Sequence, residues 1–170
     1  MFNLKSEKEI FSNFENRKNI ITNLEKLPKS SELYLSFLTK FKGIEIIPDI
    51  VIYGYEDSLN ENRYLEKNYS ECSSIFWIIG YSGQGDSWFI SKSDDSIFFY
   101  DHNLGEYQID YFMNLGINFL EFLKLAFLYR DLETYLDLND NIDEISQRKF
   151  KDAVNLIHDD LFSSYPYAYF

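Results

Sequence analysis

The stretch IFWIIGYSGQGDSWFISKSDDSIFFYDHNLGEYQI, residues 75–109, decides the fold. Ile75 to Ile79, Ser87 to Ser91 and Ile97 to Tyr100 are short runs rich in β-branched and aromatic side chains, the types that a buried, pleated surface selects. Between them stand GYSGQGD and KSDD, both with tight-turn chemistry, so the three runs predict an antiparallel meander. A further turn at Asn103 to Gly105 predicts a fourth short strand from Glu106 to Ile109.

Working outward toward the N-terminus, Asp57 or Ser58 is placed to cap a polar helix running to Tyr69. Ile44 to Ile47 and Ile50 to Tyr53 flank Pro48, whose missing N–H suits an edge strand or a bulge. Ser6 and Glu9 have capping-box spacing, and Ile10, Phe11, Phe14, Ile21, Leu24 and Leu27 predict one long amphipathic helix. Pro28 suits the first turn of a second helix, with Leu33, Tyr34, Phe37, Leu38 and Phe41 as its stripe and Gly43 as a left-handed stop. Toward the C-terminus the period is helical again from about Ile117 and from about Asp143. The tail SSYPYAYF is aromatic without a period and either folds back on the core or packs on a neighbour. The expected class is α+β: an antiparallel-rich sheet with two N-terminal helices and C-terminal helices packed on it, mainly on one face. With 170 residues and no repeat or linker, residues 1–170 read as a single domain.

The chain is 45% hydrophobic and 19% aromatic, ample for a packed core. Its formal charge of -12 repels a phosphate backbone, which argues against nucleic acid as a partner. The acids are concentrated late: residues 1–70 hold 10 basic and 11 acidic side chains, residues 71–170 hold 6 and 17. Such a field either keeps the chain soluble or attracts a basic partner. One cysteine, Cys72, and two histidines, His102 and His158, are too few for a structural zinc site. No apolar leader region and no membrane-spanning run is evident, so a soluble cytoplasmic protein is expected.

Gly83, Gln84 and Gly85 form a GxG, but Asp86, Ser87 and Trp88 follow where a dinucleotide fingerprint needs a third glycine and a helix. A strand-to-strand turn is the better reading, with Gly85 at positive φ and Asp86 accepting from turn amides. Asp101 and His102, with Asp86 brought near by the meander, contain the makings of a general base, yet no nucleophile elbow, zincin pair or phosphate loop accompanies them. Glu56 with Asp57 and Asp94 with Asp95 are adjacent acids, which on a strand point to opposite faces and make no dyad. Together with Tyr55 and Tyr81 these four acids are the candidate partner-binding residues, expected to gather on one face at strand ends. No catalytic residue, metal ligand or cofactor is expected.

The stretches LPKSSELYLSFLTKFKG, IIGYSGQGDSWFIS, SIFFYDHNLGEY and INFLEFLKL, taken in order, resemble the SUKH superfamily, the Smi/Knr-like domains. The matching positions are Leu27, Pro28, Gly43, Gly80, Gly85, Asp86, Tyr100, Asp101, Phe119, Phe122 and Leu123, over residues 27 to 125 or so. Lys42 departs from the pattern, where an Asn commonly precedes the glycine, as does the lack of a Trp in the first helix. The resemblance implies a non-enzymatic α+β domain that binds proteins. Bacterial members look like immunity proteins that neutralise a cognate toxin by direct binding, and fungal relatives look like regulators of cell-wall synthesis. It makes Pro28, Gly43, Gly85, Asp86 and Asp101 structural motif residues. A regulatory scaffold is the alternative function, and a small hydrolase built on Asp86, Asp101 and His102 is the third.

Overall fold

The computed structural model of the protein describes residues 2–29, 31–139 and 141–170, so Ser30 within LPKSSEL lies outside the described residues. Among these residues six strands form one antiparallel sheet in the order of the sequence: β1 (Ile44–Ile47), β2 (Ile50–Ile52), β3 (Phe76–Tyr81), β4 (Ser87–Ser91), β5 (Ile97–Tyr100) and β6 (Met113–Asn114). The helices are α1 (Glu7–Phe11), α2 (Glu32–Lys40), α3 (Tyr55–Asn68), α4 (Ser70–Ile75), α5 (Phe119–Leu138), α6 (Glu144–Asn155) and α7 (Leu161–Ser164). The fold is α+β, with the antiparallel sheet and the N- and C-terminal helices that the sequence predicts.

The side chains of β3, β4 and β5 alternate between two cores. Trp77, Ile79, Trp88, Ile90, Ile97 and Phe99 join the larger one, which also holds α2 and the buried side of α5. Phe76, Ile78, Phe89 and Tyr100 enter a second, closed by Leu65 of α3 and Cys72 of α4, with Phe98, Tyr107 and Phe112 packed against it. The expectation of a sheet covered mainly on one face is therefore corrected. The runs FWII and IFFY contain no polar alternate, which is the signature of strands buried on both faces. Asn62 of α3 completes the edge of β3: its amide oxygen accepts from the Ile78 N–H at 2.8 Å and its amide nitrogen donates to the Ile78 carbonyl at 2.9 Å. A buried side-chain amide thus takes the place of a neighbouring strand.

Five local expectations change. α3 is entered through Gly54, and Asp57 and Ser58 lie within the helix and do not cap it. α1 stops at Phe11, because Ser12 and Asn13 compete for backbone hydrogen bonds: both side chains donate to the Glu9 carbonyl, and Arg17 and Ile21 donate to the carbonyls of Lys40 and Thr39. Pro28 is buried in a non-helical lead-in, and α2 begins only at Glu32. Gly43 is not a left-handed stop, since α2 ends through the extended Phe41; its need is for close approach, as a Cβ there would stand 2.6 Å from the Gly54 nitrogen. Residues 106–109 are not a strand. Gly105 turns the chain at φ 89°, the Tyr100 hydroxyl donates to the Glu106 carbonyl, and the last strand is displaced to Met113–Asn114. The tail folds back: Tyr165 stacks on Tyr129 of α5 at 4.0 Å between ring centroids.

Candidate functional site

The β3–β4 turn is built around two buried groups, Ser82 and Asp86. Gly85 takes φ 100°, the backbone state that favours glycine, as the sequence predicts. The turn amides of Gln84 and Asp86 donate to the Ser82 hydroxyl, which itself donates to Asp86 Oδ2 at 3.0 Å. So the serine satisfies the turn, and Asp86 is left to reach outward. Its Oδ1 accepts from the His102 N–H at 3.1 Å and from His102 Nδ1 at 2.7 Å, while Oδ2 accepts from the Tyr167 hydroxyl of the tail at 2.5 Å. Burial pushes the Asp86 carboxyl up, but the donors from Tyr167, His102 and Ser82 outweigh it and hold the group below the ordinary carboxylate range. Asp101 caps the following 3₁₀ turn by accepting from the Asn103 N–H at 2.8 Å. One carboxylate thereby joins a turn, a loop and the C-terminal tail.

Asp86, Asp101 and His102 lie close enough for their ligand atoms to face one another. Both Asp86 oxygens are engaged by the fold, one of them by the half-exposed His102 ring. The arrangement is an Asp–His pair at an open loop, able to orient an imidazole. No neighbouring hydroxyl donates to His102 among the described residues.

A second tail contact carries its own proton requirement. The Tyr169 hydroxyl lies 2.8 Å from Asp49 Oδ2 and 2.9 Å from Glu133 Oε1. A phenol has one proton, so it can donate to only one of two ionised carboxylates. Burial raises the Asp49 carboxyl, aided by the charge of Asp86 and opposed by donors from Tyr169 and Gln84. Burial raises Glu133 too, with Asp49, Asp137 and Glu45 adding to it and Tyr169 opposing. A carboxyl raised on folding contributes stability that grows as pH falls through its folded pKa and is lost as pH rises through it; Asp86, held low, contributes stability lost on acidification. Glu133→Gln is therefore expected to raise the Tm at pH 8 by about 1 °C after allowing for solvent screening, with the gain vanishing near pH 4. Melting curves at the two pH values check this, and a loss at pH 8 contradicts it.

The six partner-facing candidates are divided among three places. Tyr55 is half-buried against the larger core with the Arg17 guanidinium 5.7 Å from its ring centre, and Glu56 is held by that same guanidinium through two hydrogen bonds of 2.9 and 2.5 Å. Arg17 also holds the Glu56 carboxyl below its ordinary value. Asp57 and Tyr81 do meet, across an open groove of about 480 Å³ that Tyr53 and Glu45 share, with the Tyr53 and Tyr81 rings 5.2 Å apart. Asp94 and Asp95 are elsewhere. They form the β4–β5 turn, beyond Ser91, which pairs with Phe76, whereas Tyr81 pairs with Ser87 at the other end of β4. Four residues of strand separate the two ends by about 13 Å. The expectation of one acidic face at the strand ends is corrected accordingly: Asp94 accepts from the Ser96 N–H and Asp95 sits at φ 63°, so both shape their own turn. Trp88 is fully buried and donates to the Asp49 carbonyl.

What joins Asp57 and Tyr81 is a band of tyrosines. Tyr64 stands 6.2 Å from Tyr69, Tyr69 is 5.1 Å from Tyr107, and the Tyr107 hydroxyl bonds Ser87 at 2.9 Å. Burial raises the Tyr53 hydroxyl, and Glu61, Tyr107, Tyr81 and Asp57 are near enough to raise it further. Tyr107 feels Glu61, Tyr69 and Tyr64 in the same way. Glu61, Tyr64, Tyr69 and Tyr107 are not among the residues that the sequence singles out. The signal was the spacing Asp57, Glu61, Tyr64, Asn68, which is one helix face that is polar yet rich in contact-forming groups. No helix among the described residues is long and apolar enough to cross a membrane. Comparison with models of known protein families, with curated proteins and with solved structures finds no match to this chain.

Proposed function

We propose that this chain is a non-enzymatic protein-binding module, an immunity protein of the Smi/Knr-like kind that neutralises a cognate toxin by direct binding in the cytoplasm. The observation that carries the reading is the engagement of Asp86. Besides holding the His102 ring, Asp86 anchors the β3–β4 turn, the His102 loop and the tail, a structural role that accounts for the Asp–His pair without a reaction. The ordered resemblance over residues 27 to 125 and the charge of -12 support the same conclusion, because a carboxylate-rich surface suits a basic protein partner.

The test is growth of cells that express the protein encoded beside this chain, with and without it. Protection is expected from the wild type and equally from His102→Ala, which removes a half-exposed ring and one of the four donors to Asp86 while keeping the backbone N–H that also donates to it. Loss of protection in His102→Ala at unchanged Tm contradicts a non-enzymatic role.

A further inference from the structure

We infer that the tyrosine band running from Tyr81 and Tyr53 through Tyr107 to Tyr69 and Tyr64 is the docking surface, and that its occupant is an extended, arginine- or lysine-bearing segment of the partner protein. The inference rests on the protein-binding reading and locates it. Tyr64, Tyr81 and Tyr111 are 55%, 39% and 40% exposed, and Ile109 is 39% exposed beside them. Tyrosine offers a large amphipathic contact at low entropic cost, which is why it is enriched where proteins meet. An open groove of about 620 Å³ lies at this band, between the α3–α4 junction and the loop that carries Tyr107, Ile109 and Asp110.

Charge selects the occupant. Between Lys92 and Lys124 the sequence has Asp94, Asp95, Asp101, Glu106, Asp110 and Glu121 and neither lysine nor arginine. Asp57, Glu61, Glu71, Glu106 and Asp110 form no ion pair among the described residues, in contrast to Glu56. Of the two α3 cations, Arg63 lines a different cavity, with Lys26 and Glu66, and Lys67, exposed in the last turn next to Asn68, is not in the lining of the 620 Å³ groove. Carboxylates beside tyrosine faces suit a guanidinium doubly, by bidentate pairing and by stacking on the ring. Nucleic acid and anionic lipid carry the wrong sign. The other aromatic groove, at Phe162 and Phe170, is edged by Arg148 and Lys151 as well as Glu144 and makes no such selection.

The test is a titration of the ¹⁵N-labelled full-length chain with a synthetic decapeptide of alternating arginine and threonine in 0.15 M salt. Amide shifts are expected at Glu61, Tyr64, Tyr69, Glu71, Tyr107 and Asp110. Binding should weaken about ten-fold in the variant Glu61→Gln/Glu71→Gln/Asp110→Asn and less than two-fold in Asp94→Asn/Asp95→Asn, with both variants melting like the wild type. Shifts centred on the β4–β5 turn or on the tail acids, equal weakening in the two variants, or no shift at all overturns the inference. The same triple variant is then tested against the neighbouring gene product. Full neutralisation by it removes this surface and leaves the inhibitor reading; failure of the wild type to neutralise, with the peptide map intact, removes only the inhibitor reading.

Discussion

Replacing Asp86 by alanine is expected to lower the folding stability by about 3 to 5 kcal/mol, the range seen when a buried charged acceptor is removed from donors that remain buried. Asp86 is 4% exposed and receives the Ser82 hydroxyl, the His102 N–H, the His102 ring and the Tyr167 hydroxyl. Without it the turn, the loop and the tail lose their common acceptor at once. In a chain of 170 residues each kcal/mol moves the Tm by roughly 2 to 4 °C, so a fall of at least about 6 °C is expected. Tyr167→Phe removes one donor and should cost about 1 kcal/mol. Thermal or urea melts of both variants check the ranking. An Asp86→Ala protein as stable as the wild type contradicts the anchoring role.

Gly80→Val is the second large effect. Gly80 follows an irregularity in β3 between Ile78 and Gly80 and pairs with Ile52 of β2 on one side and Trp88 of β4 on the other. A Cβ there would stand 2.1 Å from the Val51 carbonyl oxygen, a backbone atom that cannot move without opening the β2–β3 ladder. The expected cost is about 3 kcal/mol or more, with β1 and β2 released first because their only route into the sheet is through β3. Hydrogen exchange should show early loss of protection at Val51 and Tyr53 while β4 and β5 stay protected; uniform loss, or none, contradicts this account.

Much of the architecture was legible because residues 75–100 combine β-branched and aromatic runs with short polar turns, and because Ser6 and Asp143 open helices by local rules that act within four residues. The failures have two physical sources. Where local polar side chains compete with the helix, as at Ser12 and Asn13, periodicity alone overextends it, and where a backbone needs space, as at Gly43, the cause lies in a residue remote in sequence, Gly54. Of the candidate site, the Gly85–Asp86 turn and its nearness to His102 were readable from the meander. The tail's part was not: Tyr167 is 81 residues from Asp86, and Tyr169 is 120 from Asp49. The tyrosine band was hidden for a similar reason, since Tyr107 belongs to a loop and Tyr64 to a helix, and only the sheet brings them together.

The proposed inhibition by stoichiometric binding through the acidic tyrosine surface is put to the test by titrating this chain against the toxin proposed as its partner. With toxin held well above the dissociation constant, residual toxin activity is predicted to fall linearly with added protein, to end at a fixed molar equivalence and not to change with incubation time. Activity that keeps falling with time at a tenth of an equivalent, the mark of turnover, or activity untouched at excess protein, contradicts it.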